Sequence, residues 1–562
     1  MESQGERSVQ DVALNNPIIL TQVLKQSSIR LRNARLVCKF WNDIVLSLPD
    51  TRLAVRLRDV DQEDEEDDND DDDDDGDEEE DDEDDDDQEK GDPADPFPFY
   101  VLCSSLDKRL AKRVTSMCGP TYANEIDSTR CIYSFGGKLM YFCEKFSDTV
   151  QILKITIHDE KCLKYISQAL KNSCPNLKEL RISCTDARKT QIEPGVLAAM
   201  PRLTVFSQSY AFLGYIQFPY EASWFLTSFA QAVVTAAPNL REVTLPWGYH
   251  PDLSNSKCLD SLTIGLNETD VREAVHFNVS ELWHMLSQVG SQLVTLFFGE
   301  TNLRHRVFRS KTWNKIEFRL PRSMPKLKTY GNLMLDVFEC TDILKDFEKM
   351  PALKTLTLGR TTATRSTSLH ETLQTISSSD KSFEGVKYLR IIEMHDPALL
   401  DGLKTAFPNL ERLSVRTRHA EDVDVAGGVS GMQLGAVLQA CEGGWEGLKH
   451  LEVGLPRNPE RIGDVIKALL DCSNLYQGLK TLNIIPEGDE LEDDLTEDEM
   501  DLFKKLLLAM DVMDDVCIWN INFGAKSMTN ILAFMTSKKL SMSKFRMFWG
   551  QAEPAPIDDN FV

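Results

Sequence analysis

A chain of 562 residues, 42% of them hydrophobic, is too long for one ordinary core and calls for several units or an elongated repeat architecture. Its formal charge of −28 is local: residues 61 to 89 hold 25 Asp and Glu and no Lys or Arg, so the rest carries −3, which excludes a globally acidic protein. The opening MESQGERSVQDVAL has no apolar signal core, no run of 18 apolar residues occurs, and the 13 cysteines are scattered. These features argue against secretion, a membrane span and a disulfide scaffold, and lead to a cytoplasmic and/or nuclear protein with reduced cysteines.

Residues 1–14 are expected to be disordered, and 15–58 to form a small helical domain. NNPIILTQVLKQ starts on a capping Asn followed by Pro, which suits a first helical turn. Ile19, Val23 and Leu24 then lie on roughly one face, and Ser27-Ser28 offers a break. RLRNARLVCKFWNDIVL, residues 30 to 46, reads as one helix with Leu31, Ala34, Cys38, Trp41 and Val45 on one face. Leu36, Val37, Phe40 and Ile44 widen that face beyond what one domain normally covers. A hairpin of this size is too small to bury its own apolar surface.

Residues 59–99 are expected to be a disordered acidic linker, because dense like charges repel and nothing apolar compensates. DPADPFPF at 92 to 99 reads as its extended end. The plain role is a solvating spacer; the functional one is a dock for a basic protein, weakened by salt.

Residues 100–548 repeat an apolar, two others, apolar, one other, apolar pattern. It appears as VQILKI at 150, LKELRI at 177, LREVTL at 240, LDSLTI at 259, LVTLFF at 293, LKTLTL at 353, VKYLRI at 386, LERLSV at 410, LKHLEV at 448 and LKTLNI at 479. Weaker copies stand at LTVFSQ 203, LKTYGN 327 and VCIWNI 516. The alternating end reads as a short strand, and Pro before several copies marks the end of a helix. KCLKYISQALKNS, SELWHMLSQVG, LLDGLKTAF and IGDVIKALLDCS read as the helices between, whereas WGYHPDLSNSK reads as a loop. Strand, loop, helix and return at steps of 19 to 38 residues describe a leucine-rich-repeat solenoid. The Asn that follows the strand in such repeats occurs only at Asn267; Thr185, Thr301, Thr361 and Arg418 take its place elsewhere. Residues 549–562 complete the chain as a flexible tail.

Leu31, Arg35, Leu36, Val37, Cys38, Lys39, Trp41 and Ile44 stand in the order L-x-x-x-R-L-V-C-K-x-W-x-x-I, so residues 17 to 46 resemble an F-box. Pro17-Ile18-Ile19-Leu20 stands where the family has a longer Leu-Pro-x-Glu-Ile-Leu opening. With the repeats downstream, the chain resembles an F-box and leucine-rich-repeat protein. The implied fold is α/β: an N-terminal helical F-box-like hairpin, then an irregular leucine-rich-repeat solenoid of short parallel strands. The implied role is the non-catalytic substrate receptor of an SCF-type cullin-RING ubiquitin ligase. The F-box would hold the linker subunit, and through it the cullin and RING subunits, while the repeats hold an unknown protein substrate. Pro17, Ile19, Leu20, Leu24, Leu31, Leu36, Val37, Trp41 and Ile44 are the expected linker-subunit contacts, with Leu20, Leu36 and Trp41 as anchors. The alternative is an acidic leucine-rich-repeat scaffold or chaperone for basic nuclear proteins such as histones.

No catalytic chemistry is expected, and no cofactor or metal. There is no C-x-x-C, H-E-x-x-H, P-loop or G-x-S-x-G, and no two of the nine histidines lie four apart on a predicted helix. Gly136-Gly137, Gly427-Gly428 and Gly443-Gly444 read as turns. The basic clusters KRLAKR at 108 and LRHRVFRSK at 303 are short, and the chain's charge opposes nucleic acid. Tyr215, Tyr220, Trp247 and Trp313 are candidate substrate contacts, although loop packing explains them more simply.

Overall fold

The computed structural model describes residues 16–25, 31–48, 53–57, 97–118, 125–157, 159–184, 195–210, 224–265, 278–299, 316–339, 342–360, 368–417, 432–455, 462–486, 491–519 and 521–548. The acidic run, the 303–311 basic cluster, Asn267, Thr185, Thr301, Thr361, Arg418, Tyr215, Tyr220, Trp313, Ser27-Ser28, Gly427-Gly428 and both termini lie outside them. The chain divides into two units, Met1–Glu242 and Val243–Val562.

The first unit opens with three helices, α1 (Pro17–Leu24), α2 (Leu31–Ala34) and α3 (Lys39–Ser47). Strand β1 (Val55–Leu57) pairs in parallel with β2 (Arg113–Met117), setting Val55 against Val114. Between them in sequence lies α4 (Phe97–Ser105). The extended reading of residues 97–99 is therefore corrected: Pro98 sits in the first turn of α4, where its missing N–H leaves no intrahelical bond unmade. Helix α5 (Glu125–Lys145), β3 (Ile152–Ile157), α6 (Leu163–Ser173), β4 (Glu179–Cys184), β5 (Val205–Tyr210) and α7 (Trp224–Ala236) follow. Strands β1 to β5 lie in sequence order, each parallel to the next. Ile166, Ala169, Leu170 and Ser173 of α6 are buried, at the three-and-four spacing that its sequence shows.

Gly136-Gly137 is not a turn. Both glycines lie inside α5, and a Cβ on Gly136 would come within 2.4 Å of the Tyr165 ring on α6. The missing side chain lets that ring approach the helix backbone. Gly443, by contrast, does sit in a turn, with φ +68.

In the second unit Ser261–Gly265 follows Glu242–Pro246 in the sheet order, and nine more parallel strands follow it. They are Thr295–Phe298, Thr329–Asn332, Thr355–Gly359, Tyr388–Ile392, Arg412–Arg416, His450–Leu455, Thr481–Pro486, Asp515–Trp519 and Phe545–Phe548. Helices Val279–Val289, Ser368–Ser377, Leu399–Ala406, Leu434–Cys441, Ile462–Asp471 and Glu497–Met510 are among those between them. Every copy of the repeated pattern but VCIWNI ends in a strand of the long sheet; there Val516 pairs with Leu482, so the copy in register is MDDVCI at 513. Each unit thus has the parallel, sequence-ordered strands and intervening helices of a leucine-rich-repeat solenoid. Leucines and isoleucines at equivalent positions, such as Leu356, Leu389, Leu413, Leu451 and Leu482, are paired in register and buried.

Residues 247–257 form a loop, as WGYHPDLSNSK predicts, but not an open one. Trp247, Tyr249 and Leu253 are buried. Trp247, a candidate substrate contact from its place in a loop, instead packs its ring 5.3 Å from Phe338. Gly248, at φ +83, makes the turn that aims the flanking rings inward. His250 is buried beside Glu281, 3.7 Å away. Burial pushes its pKa down to about 4, although Glu281 acts in the opposite direction. A neutral imidazole in the fold and an ordinary one in the unfolded chain give stability that is full above pH ~6.5 and falls as pH drops toward 4. The loss is on the order of 3 kcal/mol. His250→Gln is expected to flatten this part of the pH dependence, read as melting temperature between pH 7 and 4.5.

Candidate protein-docking surface

The N-terminal hairpin is built around its own small core. Asn16 caps α1 with its side-chain oxygen, accepting from Ile18 N at 2.9 Å and Ile19 N at 3.4 Å, and Pro17 fills the first turn. Leu20, Leu24, Leu31, Ala34, Val45 and Leu48 form one buried cluster. Phe40, Trp41, Ile44 and Leu53 pack against it while keeping part of their surface in water.

The single helix expected over residues 30 to 46 is two. The chain leaves α2 in a turn at Arg35–Val37, and Cys38 takes extended backbone, φ −164 and ψ 170, before α3 starts. The Arg35 Nε donates to Asn42 Oδ1 at 3.0 Å across this break. Successive Val37 and Cys38 are weak helix formers, so a three-residue turn competes well with helix here. The break has a consequence for surface: Leu36 and Val37 stand on the turn, 82% and 59% exposed.

The expected contact residues therefore separate. Leu20, Leu24 and Leu31 are internal to the hairpin, which removes Leu20 as an anchor for another chain: its side chain is fully enclosed. Trp41 and Ile44 are half-buried against the same cluster, leaving an anchor only partly available at Trp41. Pro17, Ile19, Leu36 and Val37 face water. Ile18, not among the expected contacts, is 73% exposed and joins them. Its place directly after the Asn-Pro cap was the available signal: Leu20 and Leu24, four apart, face the core, and Ile18 falls off that stripe.

The hairpin is fastened to the first strands. Arg109, in the short 3₁₀ turn Lys108–Lys112, reaches Asp43 of α3 at 3.1 Å and Asp107 at 2.7 Å. Its bond to Asp107 holds that carboxyl below its ordinary value. KRLAKR thus serves the fold: its Arg109 holds α3, and Arg113 opens β2. Both partners of the Arg109–Asp43 pair are well exposed, so the pair fixes orientation more than it adds stability.

The described cysteines are free thiols. Cys118 and Cys162 lie 3.7 Å apart, sulfur to sulfur, and the contact together with burial pushes the Cys162 thiol far up, away from reactivity. Among the described residues, no group of three or more His, Cys, Asp or Glu is placed to hold a metal ion, and no helix is long and apolar enough to cross a membrane.

No protein-family model matches the sequence, and no curated protein matches it. Similar solved structures include a Bacteroides fragilis protein at 12% identity and TM-score 0.28, matching 52% of this chain and 66%, just under two thirds, of its own length. An internalin, InlF, of Listeria monocytogenes is 12% identical with TM-score 0.24, over 68% of this chain and 84% of that one. TLR13, solved in complex with ssRNA13, is 11% identical with TM-score 0.21, over 79% and 81%. These similarities are too low to assign a family, and the repeat fold rests on the strand ladder itself.

Proposed function

We propose that the chain is a protein-binding adaptor, the substrate-recognition subunit of an SCF-type ubiquitin ligase. The N-terminal hairpin docks the linker subunit, and the repeats hold a protein substrate. The observation that carries the reading is the split of the hairpin's apolar groups. One set closes its own core, and a second set, Ile18, Ile19, Leu36 and Val37, is left in water on elements bound to the start of the strand ladder. Solvated apolar side chains of this size are costly to keep exposed, and full burial of one is worth about 1.5–3 kcal/mol. The order of residues 31 to 44 supplies the kind of partner, by resemblance. In such an adaptor the substrate's lysines are held near a reaction that another subunit performs, so this chain contributes proximity rather than a nucleophile.

The test is co-purification of the full chain with the linker subunit. The wild-type chain is expected to bind, and Leu36→Asp to weaken binding at least tenfold, since tenfold corresponds to about 1.4 kcal/mol. Leu36 is outside the core, so the melting temperature of the variant should stay within about 2 °C of wild type. A wild-type chain that fails to bind removes the reading. Deleting residues 61 to 89 should leave this binding intact, whereas a chaperone for basic proteins would lose its histones.

A further inference from the structure

The second position of the repeated pattern is lysine in LKTYGN, LKTLTL, VKYLRI, LKHLEV and LKTLNI, and glutamate in LERLSV. The fold of the second unit turns this into one row. Lys354 N donates to Lys328 O at 2.8 Å, Lys387 N to Lys354 O at 2.8 Å and Glu411 N to Lys387 O at 2.9 Å. The row continues with Lys449 N to Glu411 O at 2.9 Å and Lys480 N to Lys449 O at 2.7 Å. Lys328, Lys354, Lys387 and Lys480 are exposed, and Lys449 is half-exposed. The adjoining row, one residue along each strand, is Thr329, Thr355, Tyr388, Arg412, His450 and Thr481, with no acid in it. Arg412 lies over the Tyr388 ring at 5.5 Å. The next strand puts Asp514 in the lysine row, whose N–H donates to Lys480 O at 2.8 Å, and so ends the run. The leading turns add the exposed Lys326, Glu384 and Glu446, which leaves a positive excess.

We propose that this row of lysines is a docking strip for an extended acidic peptide segment of a partner protein. The proposal rests on the repeats being a protein-binding surface, and not on the hairpin's docking. Neighbouring strands stand about 4.8 Å apart, so Lys328 to Lys480, five steps, spans about 24 Å, the reach of about seven residues of extended chain. Charge complementarity sets the occupant. The local field is already visible on His450, whose pKa is lowered first by burial and then by Arg412, Lys480 and Lys449. A peptide fits better than a nucleic acid. Glu411 stands in the middle of the row, 3.4 Å from Lys387 and 2.9 Å from Lys449; a peptide can set a neutral residue opposite it, which a phosphate backbone, charged at every step, cannot. The Tyr388 ring, covered by Arg412, offers no open platform for a base.

The experiment is fluorescence anisotropy with labelled deca-glutamate, deca-glutamine and a decathymidine strand, on the full chain without any linker subunit. Failure here would therefore leave the hairpin's docking standing. The full chain is expected to bind deca-glutamate and not deca-glutamine, more weakly as salt rises. Lys328→Glu, Lys354→Glu and Lys480→Glu together should weaken binding at least tenfold with an unchanged melting temperature. The same three positions changed to arginine should stay within threefold of wild type, and Glu411→Gln should bind at least twofold tighter. The lysine dependence is expected as well in a chain lacking residues 61 to 89, whose own acids cannot then compete. The proposal is overturned if neither chain binds deca-glutamate, if the lysine-to-glutamate variant binds it as wild type does, or if these lysines hold decathymidine more tightly than deca-glutamate.

Discussion

Phe298→Ala is expected to destabilise the second unit by about 3–5 kcal/mol, the range for removing a fully buried aromatic ring. Phe298 has no exposed surface. Its ring centre lies 5.4 Å from Phe318, 5.5 Å from Phe338 and 6.4 Å from Tyr330, all near edge-on. Edge-to-face pairs add about 0.5–1.5 kcal/mol beyond the area they bury. Phe338 in turn meets Phe318 at 4.6 Å and Trp247 at 5.3 Å, so the cavity would open in the middle of a five-ring cluster. Rings packed from several sides have little room to collapse into the space, which places the cost toward the upper end. Urea unfolding followed by tryptophan fluorescence would read it. A loss below about 1 kcal/mol would mean that the ring is not a core element.

Arg416→Met should cost about 3 kcal/mol at neutral pH, through Glu452. Arg416 Nε donates to Glu452 Oε1 at 2.7 Å, Ser414 Oγ donates to the same oxygen at 2.9 Å, and Asn483 Nδ2 approaches the other at 3.5 Å. Burial by itself would raise this carboxyl; the charge and hydrogen bond of Arg416, with Arg390 and Ser414, outweigh it and hold the group below its ordinary value. A lowered value contributes stability present above the unfolded carboxylate range, which is lost as pH falls through the folded value. In Arg416→Met burial prevails, the carboxyl rises, and the deficit is largest at pH 7. It should shrink as pH falls toward and below ~4.5, because the raised carboxyl of the variant takes its proton first and the wild-type group follows only below its ordinary range. Arg416→Met with Glu452→Gln should recover much of the loss at pH 7. Melting temperatures of the two variants at pH 7 and 4.5 separate this from simple loss of packing, which would be flat with pH.

The strand ladder was legible because each apolar position of the repeat is buried by its immediate neighbours, so local pattern and tertiary environment agree. LKTLTL, VKYLRI and LKTLNI needed no distant information. Of the strands that escaped, Val55–Leu57 and Arg113–Met117 lack the full apolar spacing, whereas Phe545–Phe548 has it, in MSKFRM at 542, with methionine at two of the three apolar positions. Helix α5 was obscured by Gly136-Gly137, whose purpose is set by a ring on a different helix. Trp247 looked like loop surface because the Phe338 that covers it is far along the chain. At the hairpin, pattern gave the excess of apolar groups but not their division. That depended on where the chain bends, and a turn at Arg35–Val37 competes with helix by a margin too fine for periodicity to resolve. The lysine row was invisible for another reason. Position two of each repeat is unconstrained by packing, and it becomes a surface only when the strands are set side by side.

In the second unit each strand of the long sheet bonds, within that sheet, only to its immediate neighbours in the ladder. Mechanical and thermal insults should therefore stay local: opening a seam at one rung breaks two interfaces and leaves the remainder zipped. Calorimetry of the chain should accordingly show a broadened or stepped heat-absorption profile rather than one sharp all-or-none peak. Hydrogen exchange should fade from the middle rungs outward.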